Sequence, residues 1–315
     1  MRYLLTRLLT VTTLLLSGAA CQHHSAVQTL PSTFEENRIV LVPITADGRV
    51  VRFVTDTGGG WNAIKRSVVQ ELALQISQEG GTVNFPIFSA RNDIPSNPLF
   101  KNGDLVIVDD AELSEAEDGF LGGRWFGNKM WEFDYPNQTL SVMHQLPTPA
   151  QEECHVVGLG FQTNEQEIRT MHFARMPIEV DGQEIDVLLD TGAKATLTES
   201  GAAHLDKARG SAIGTSFIVR SVFDQWVEKH PEWTVLVDAD SIRGHLYPMI
   251  EVPQLTVGGH TVGPVWFVVR PDNAFLNYMS AMMDQSIQGA LGGSGLRYFR
   301  LVVDYPSATA YFCVE

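Results

Sequence analysis

The segment that decides the fold is IDVLLDTGAKATLTES, residues 185–200, in which a carboxylate ends an apolar run and a Thr-Gly turn follows. The carboxylate is Asp190. Because Asp and Gly are favoured turn residues, one copy of this pattern is consistent with a tight turn and nothing more. The other interpretation is a carboxylate displayed for chemistry, and the rest of the chain has to decide between the two.

A second copy of the pattern lies in the first half of the chain. Residues 48–72 are GRVVRFVTDTGGGWNAIKRSVVQEL, and residues 182–205 are GQEIDVLLDTGAKATLTESGAAHL. Each has a glycine turn, an apolar strand, Asp-Thr-Gly and then a helical pattern, which is stronger over residues 67–76 than over residues 199–208. The second carboxylate is Asp56.

The similarity continues downstream in each half. Residues 118–143 (DGFLGGRWFGNKMWEFDYPNQTLSVM) and 288–314 (QGALGGSGLRYFRLVVDYPSATAYFCV) both contain Leu-Gly-Gly, a connector, a strand, Asp-Tyr-Pro and another strand. Asp-Tyr-Pro followed by polar residues is typical of a turn, so each copy predicts a hairpin. These landmarks recur in the same order at a period longer than that of solenoid repeats, which indicates two duplicated lobes.

The lobes are separated at a stretch rich in proline and polar residues. We place the N-terminal lobe at residues 37–146, the link at residues 147–169 and the C-terminal lobe at residues 170–315. Residues that favour strands are frequent in both lobes. Examples are LVIV at 105–108, FIVRSVF at 217–223 and VWFVV at 265–269. Helical patterns are few and short, so the predicted fold is mostly β and bilobal.

Residues 1–21 are predicted to be an export signal. They have a positively charged start, an apolar core too short to span a bilayer with its flanks, and the small residues SGAA before Cys21. This resembles a bacterial lipoprotein signal, although Gly18 stands where such signals carry Leu. We expect either lipid attachment at Cys21 or ordinary cleavage beside it, a flexible leader over residues 22–36, and a periplasmic location. Membrane contact would then occur only through the lipid.

The composition is that of a globular protein with an acidic surface. The chain has 315 residues, of which 44% are hydrophobic and 19% are charged, and its formal net charge is -15. Nucleic acid is therefore not an expected partner, because phosphate binding requires a basic surface. The length allows one large domain or two modest ones.

Two further cysteines, Cys154 and Cys313, lie in the predicted mature chain. An oxidising compartment favours a disulfide between them, and two buried free thiols are the alternative. Neither the cysteines nor the scattered histidines have the spacing of zinc ligands. GLGF at residues 158–161 lacks the third glycine of a dinucleotide-binding loop. The sequence therefore predicts no metal and no cofactor.

Duplication of the Asp-Thr-Gly turn gives it a chemical interpretation. A pseudo-two-fold axis between the lobes would bring Asp56 and Asp190 together. Two carboxylates within hydrogen-bond range cannot both ionise easily, so one keeps a proton and the pair holds an acid and a base at once. Such a pair can remove a proton from a water molecule that attacks an amide carbon and can donate a proton to the carbonyl oxygen.

The neighbouring turn residues fit that chemistry. Gly58 and Gly192 would let the backbone approach closely and direct N–H groups at the carboxylates. Thr57 and Thr191 carry hydroxyls that could form hydrogen bonds across the lobe boundary and hold the two turns together. All of these residues are candidate active-site residues beside the two acids.

The residues around both turns resemble the active-site loops of aspartic proteases. The loops are VTDTGGG at 54–60 and LLDTGAKAT at 188–196, and FLGG at 120–123 and ALGG at 290–293 are similar to the element that threads behind each loop in that family. The second loop, with Ala193, is closer to the retropepsin form. The chain thus resembles a bacterial, exported, pepsin- and retropepsin-like aspartic protease over most of its mature length.

The resemblance implies a bilobal pepsin-like acid protease fold built from two retropepsin-like lobes. It implies an aspartic endopeptidase that cleaves a peptide or protein substrate, with Asp56 and Asp190 sharing the general acid and general base roles. Such a chain would be a monomer, because both halves of the dyad are fused. A bond between Cys154 and Cys313 would tie the link to the last strand, since those segments lie near each other in bilobal members of the family.

The chain also departs from the family pattern. Pepsin-like loops carry Ser or Thr after the glycine, where its hydroxyl bonds the carboxylate, but this chain has Gly59 and Ala193. Without that donor, we expect the dyad to keep its shared proton to higher pH and to have a mildly acidic optimum. Residues 80–100 have the position of the pepsin flap but lack its Tyr.

Two rival interpretations stay open. The first is a catalytically weak or inactive peptide-binding lipoprotein on the same fold. In the second, the C-terminal lobe pairs with another copy of the chain. Trp61 is the best candidate for a residue lining a peptide cleft, and Lys194 is expected either to contact substrate or to reach solvent. The six acids of residues 109–118 either attract basic peptides or form a solvated loop.

Overall fold

A computed structural model describes residues 27–90, 94–95, 105–145 and 154–314. Of these residues, 44% lie in strands and 16% in helices, so the prediction of a mostly β fold is confirmed. The predicted export signal and Cys21 lie outside the described residues, as do parts of the predicted leader, flap and link.

The strands and helices are short, and most strands are paired with a neighbour in sequence. The strands are β1 Val27–Thr29, β2 Ser32–Glu35, β3 Arg38–Leu41, β4 Phe53–Asp56, β5 Asn62–Lys65, β6 Thr82–Val83, β7 Leu105–Val108, β8 Gly119–Gly122, β9 Met130–Asp134, β10 Thr139–Met143, β11 Cys154–Gly158, β12 Arg175–Val180, β13 Gln183–Leu189, β14 Lys194–Thr196, β15 Ala212–Gly214, β16 Ser216–Val219, β17 Val235–Ile242, β18 His245–Val252, β19 Leu255–Val257, β20 His260–Val262, β21 Val265–Arg270, β22 Gly289–Leu291, β23 Arg300–Asp304 and β24 Thr309–Cys313. The α-helices are α1 Arg66–Glu71, α2 Gly123–Phe126, α3 Glu199–His204, α4 Arg220–Lys229 and α5 Gly293–Leu296. Single 3₁₀ turns span Asp110–Glu112 and Ser280–Met282, and a π-helical segment spans Asn273–Met279.

Each half of the chain has its own sheet, with seven strands in the first and nine in the second. In the first sheet β4 runs parallel to β8, β8 antiparallel to β5, and β5 parallel to β7. In the second sheet β13 runs parallel to β22, β22 antiparallel to β16, and β16 parallel to β21. The same four-strand arrangement therefore occurs twice, in agreement with the repeat in the sequence.

A six-stranded sheet in the order β1-β10-β9-β23-β24-β11 joins the halves. Its first three strands come from the first half and its last three from the second. At the centre β9 and β23 pair antiparallel, with Arg300 opposite Asp134 and Asp304 opposite Met130. Because Asp134 and Asp304 belong to the two Asp-Tyr-Pro copies, this ladder has the same register viewed from either half, as at a two-fold interface.

The structure has strands within the predicted leader and within the predicted interlobe link. β1 pairs with β10 and β2 pairs with β3 where a flexible leader was predicted over residues 22–36. In the predicted link, residues 147–169, β11 pairs with β24. A strand as short and polar as Val-Gln-Thr at residues 27–29 has too little alternation of apolar and polar residues to be recognised from the sequence. It forms because the edge of β10 is available for pairing.

The helices are shorter than their sequence patterns predicted. The pattern over residues 67–76 ends early because Ala73 has a left-handed backbone, with φ of 49°. The pattern over residues 199–208 begins with a Thr198 hydroxyl that accepts the Gly201 N–H and ends before Asp206, whose φ is 52°. FIVRSVF was predicted to be a strand, but α4 begins within it at Arg220.

The buried apolar residues of both halves form one large cluster, and a smaller cluster lies under α3. On α4 the buried side chains Val222, Phe223 and Trp226 share one face, as their spacing along a helix requires. Within the described part of the chain, every helix is too short or too polar to span a lipid bilayer.

Candidate active site

Both Asp residues of the repeat stand where a buried strand ends. Asp56 is the last residue of β4, and Asp190 directly follows β13. The apolar residues before them, Phe53 and Leu189 among them, are fully buried. Each carboxylate is thus carried by a strand that is fixed in the core of its own half.

Threonine side chains join the two turns. The Thr57 hydroxyl donates a hydrogen bond to the Leu189 carbonyl oxygen at 2.7 Å and accepts one from the Thr191 N–H at 3.0 Å. The Thr57 N–H donates to the Thr191 hydroxyl at 3.2 Å. Both threonines are fully buried. These are the cross-boundary hydrogen bonds that the sequence suggested, and they fix the spacing of the two turns.

The turns bring the two carboxyl groups into direct contact. Asp56 and Asp190 share a side-chain hydrogen bond. Gly58 N–H donates to Asp56 Oδ1 at 2.9 Å, and Gly192 N–H donates to Asp190 Oδ1 at 3.0 Å. Each carboxylate therefore has a backbone donor in its own turn and the other carboxyl across the boundary.

The two turn glycines are required by this close approach. A Cβ added at Gly58 would lie 2.6 Å from Asp190 Cγ, and one added at Gly192 would lie 2.2 Å from Asp56 Cγ. Both distances are shorter than carbon atoms tolerate without bonding. No larger residue fits at either position while the carboxyl groups remain in contact.

Burial and proximity perturb the acidity of both acids in the same direction. Burial raises the pKa of Asp56, with its hydrogen bonds and the charge of Lys194 acting against it. Burial and the charge of Asp56 raise the pKa of Asp190 well above its usual range. The proton belongs to the pair, and the pair retains it to a higher pH than a free carboxyl group would.

The sequence did not identify the polar residues that hold the Leu-Gly-Gly strands behind the turns. Asn62 Oδ1 accepts the Gly122 N–H at 3.0 Å, and Ser216 Oγ accepts the Gly292 N–H at 3.1 Å. Asn62 and Ser216 begin the equivalent strands β5 and β16, and both are buried. A polar residue directly before an apolar strand, once in each copy, is the signal that could have revealed them.

The structure explains why the fourth residue of the first turn has no side chain. A Cβ at Gly59 would lie 2.2 Å from Phe120 Cζ. In the second half Ala193 occupies the same place in the turn, and the residue matching Phe120 in Ala-Leu-Gly-Gly is Ala290. The first half therefore combines a glycine with a large side chain, Phe120, whereas the second half has alanine at both positions.

Lys194 belongs to a charged cluster that spans the two halves. Its Nζ lies 3.7 Å from Glu117 Oε1, which also accepts a hydrogen bond from Arg38 at 3.0 Å. Arg38 and Glu117 are buried, whereas the Lys194 side chain is 43% exposed. Burial raises the pKa of Glu117, but the charges of Lys194 and Arg38 outweigh it and hold that pKa below the usual range.

Of the other candidates, Trp61 is 54% exposed beside the first turn, whereas Trp125, Trp131 and Trp226 are core residues. The acidic run at residues 109–118 is partly paired: Asp109 contacts Arg66, Asp118 contacts Arg49, and Glu117 lies in the charged cluster.

A disulfide joins Cys154 and Cys313, which are directly opposite each other on β11 and β24. It is one of the two alternatives that the sequence left open, and it ties the segment predicted as the link to the last strand. Among the residues that the structure describes, no cluster of three or more His, Cys, Asp or Glu could hold a metal ion.

Comparison of the chain with models of known protein families gives no match, and comparison with curated proteins gives none either.

Proposed function

We propose that this protein is an aspartic endopeptidase, which hydrolyses peptide bonds through a water molecule activated by Asp56 and Asp190. The observation that supports this most directly is the contact between two carboxyl groups with raised pKa values, each held by a backbone N–H of its own turn. Perturbed acids that face each other at a boundary between repeats are typical of catalytic sites.

The proposed reaction uses one proton shared by the pair. The ionised carboxylate removes a proton from water as the water oxygen attacks the amide carbon. The protonated carboxyl donates its proton to the carbonyl oxygen. When the tetrahedral intermediate breaks down, the carboxyl that took the water proton donates it to the amine nitrogen and the C–N bond cleaves. The other carboxylate takes a proton from one of the two hydroxyls on the former amide carbon as the product carboxyl group forms. The dyad is then restored to its single-proton state.

The finer fold assignment is part of the same proposal. We infer a bilobal pepsin-like fold, with one retropepsin-like lobe for each Asp-Thr-Gly turn. The repeated strand order in the two sheets and the central β9–β23 ladder support it. The substrate cleft would run between the two halves, over the paired carboxyl groups.

We also propose that the protein works outside the cytoplasm. The disulfide between Cys154 and Cys313 supports this, because such bonds persist in oxidising compartments. A mass increase of two hydrogens on reduction of protein isolated from the periplasm is the expected result. Two thiols that react freely in unreduced protein would contradict it.

The function is tested with a fluorogenic peptide library from pH 3 to 7, with and without a statine-type inhibitor. Wild-type protein is expected to cleave and to be inhibited, and Asp56→Asn and Asp190→Asn are each expected to lower kcat/KM by at least about a hundredfold, since acid–base groups contribute roughly 10²–10⁴. Asp224→Asn is the matched control, because Asp224 is an exposed acid on α4.

Two outcomes would contradict the proposal. Peptide binding without turnover by folded wild-type protein would favour a peptide-binding module on the same fold. Cleavage that neither Asn substitution reduces would assign the activity to another site. Thermal unfolding of each variant shows whether it is folded when assayed.

A further inference from the structure

The two turns differ in the side chain that they offer beyond the shared Asp-Thr-Gly. The fourth residue after Asp56 is Gly60, and the fourth residue after Asp190 is Lys194. The first half therefore has no side chain at this position, whereas the second half has a flexible cation. Four residues of chain reach at most about 13–14 Å, so the cation is anchored close to the dyad.

The Lys194 ammonium is held loosely. Its separation of 3.7 Å from Glu117 Oε1 is an ion pair that is too long for a hydrogen bond. The backbone around it is fixed, because Lys194 pairs with Gly214 in the β14–β15 ladder. A cation with a fixed base and a partly exposed end is suited to bind a group that arrives from solvent.

Glu117 does not need Lys194 as its partner. Its Oε1 accepts from Arg38 at 3.0 Å, and its Oε2 accepts the Ser114 N–H at 3.2 Å. Among the described residues, Arg38 Nε is buried without a hydrogen-bond partner. Two cations thus face one carboxylate in this cluster, and the charge of Lys194 also acts on the Asp56 carboxyl of the dyad.

Other charged side chains near this cluster have hydrogen-bond or ion-pair partners of their own. Glu35 receives two hydrogen bonds from Arg52, Glu36 pairs with Lys207, and Lys65 donates to the Ser114 carbonyl oxygen. The partly exposed Lys194 ammonium can therefore bind a further carboxylate beside the dyad, even though the protein as a whole is strongly acidic.

We propose that Lys194, supported by Arg38, binds a carboxylate of the substrate and makes the enzyme prefer peptides with an acidic group near the bond that is cleaved. This rests on the proposed function. An extended peptide advances about 3.3 Å per residue, so the carboxylate would lie roughly two to four residues from that bond. It could belong to an Asp or Glu side chain or to the peptide C-terminus.

The test uses matched peptides that differ only in charge. A cleaved parent peptide is remade with Glu, Gln or Lys at each position from two to four residues on either side of the bond, and each is made with a free and an amidated C-terminus. Wild-type protein is expected to prefer Glu over Gln by about tenfold at one position, the size of one charge-assisted contact. If the C-terminus is the ligand, amidation removes the preference instead.

Two variants assign the preference to its residue. Lys194→Met is expected to reduce the Glu-to-Gln ratio to about one, and Lys194→Glu to shift the preference to Lys, because the charge that selects the ligand is removed or reversed. Lys207→Met is the matched control, since Lys207 also forms an ion pair with a first-half glutamate. Each Glu-to-Gln ratio compares two peptides on the same enzyme at the same pH. Any effect of a substitution on the dyad itself therefore cancels from the ratio.

The proposal would be overturned if wild-type protein shows no charge preference at any position, or if Lys194→Met retains the wild-type ratio. A binding assay distinguishes failure of this anion-subsite proposal from failure of the proposed peptidase function. Statine-centred peptides that carry Glu or Gln are titrated against Asp190→Asn, which binds without turnover. A Glu preference that Lys194→Met removes in this background supports the anion subsite even if wild-type protein cleaves no peptide, and no preference in either assay rejects it.

Discussion

The Asp56 and Asp190 turns are alike where they touch each other and different beyond that contact. In both, a glycine N–H holds its own carboxylate and the glycine itself leaves room for the opposite one. Beyond the glycine, the first turn continues with Gly59, Gly60 and Trp61, whereas the second continues with alanines around Lys194. The glycines that follow each Asp-Thr are fixed by contact between the acids, whereas the residues beyond them depend on the packing of each half, as Gly59 does against Phe120.

The largest expected effect comes from substituting the glycine that follows Asp-Thr in each turn. Gly58→Ala and Gly192→Ala each place a methyl group within 2.6 Å or less of the opposite carboxyl carbon. Because the carboxyl groups must separate, we expect kcat/KM for peptide cleavage to fall at least about a hundredfold in both variants, the contribution of one acid–base group. Gly158→Ala is the control, since its Cβ would meet open space. A fall in only one of the two variants would show that the turns are not equivalent.

The threonines test whether the connection between the turns is symmetric. The Thr57 hydroxyl makes two of the hydrogen bonds described above, and the Thr191 hydroxyl accepts one. We therefore expect Thr57→Val to lower the free energy of unfolding by about 2–3 kcal/mol and Thr191→Val by about 1–2 kcal/mol. Urea unfolding measures both, with Thr57→Ser as the conservative control. Equal losses in the free energy of unfolding would mean that the two hydroxyls contribute equally to stability, contrary to this expectation.

The dyad should also make stability depend on pH. A carboxyl group whose pKa is raised in the folded state contributes stability that is present below its unfolded pKa and lost as pH rises through its folded pKa. For Asp190, stability begins to fall near pH 3.8, the ordinary pKa of an Asp side chain, and continues to fall as pH rises. We expect stability to fall with rising pH by up to about 1.4 kcal/mol per pH unit for one proton.

Comparison of the two Asn variants sharpens this expectation. Asp190→Asn and Asp56→Asn should each flatten the pH profile, because the raised pKa values arise from burial of two acids in contact and either substitution leaves a single carboxyl group. Urea unfolding from pH 4 to 8 measures the slopes. The pKa of Glu117 is shifted in the opposite direction, but Glu117 is present in every protein compared and cancels. A wild-type slope that both variants retain would contradict a shared proton.

The smallest expected effect is the coupling free energy between positions 59 and 120. Gly59→Ala should destabilise the protein by about 1–3 kcal/mol, as overpacking does, because the methyl group meets the Phe120 ring. Combined with Phe120→Ala, which imitates the second half, it should cost at least about 1 kcal/mol less than the sum of the single changes. Strictly additive losses in urea unfolding would show that the two positions are independent.

The sequence predicted the parts of the fold that depend on long-range repetition. Two copies of an apolar strand, Asp-Thr-Gly and Leu-Gly-Gly predicted that the same elements recur along each half, because those residues mark buried strands and their turns. The short edge strands β1 and β11 were missed, since they exist only through a neighbouring edge. α4 was mistaken for a strand because its first turn carries the β-branched and aromatic residues Val222 and Phe223.

Within the site, chemistry was easier to predict than packing. Asp56, Asp190 and the threonines carry their chemistry in their own side chains, so their types and spacing were informative. The absence of a side chain at Gly59 depends on Phe120, which is remote in sequence, and the partner of Lys194 is Glu117 from the other half. Such partners become visible only when the chain is folded.

The β9–β23 ladder has a consequence for how the site is assembled. Because both strands belong to one polymer, bringing the turns together requires no loss of translational freedom between separate molecules, and mass action does not govern it. The specific activity per mole should therefore stay constant on serial dilution, where a site shared between two copies would lose activity as the copies dissociate.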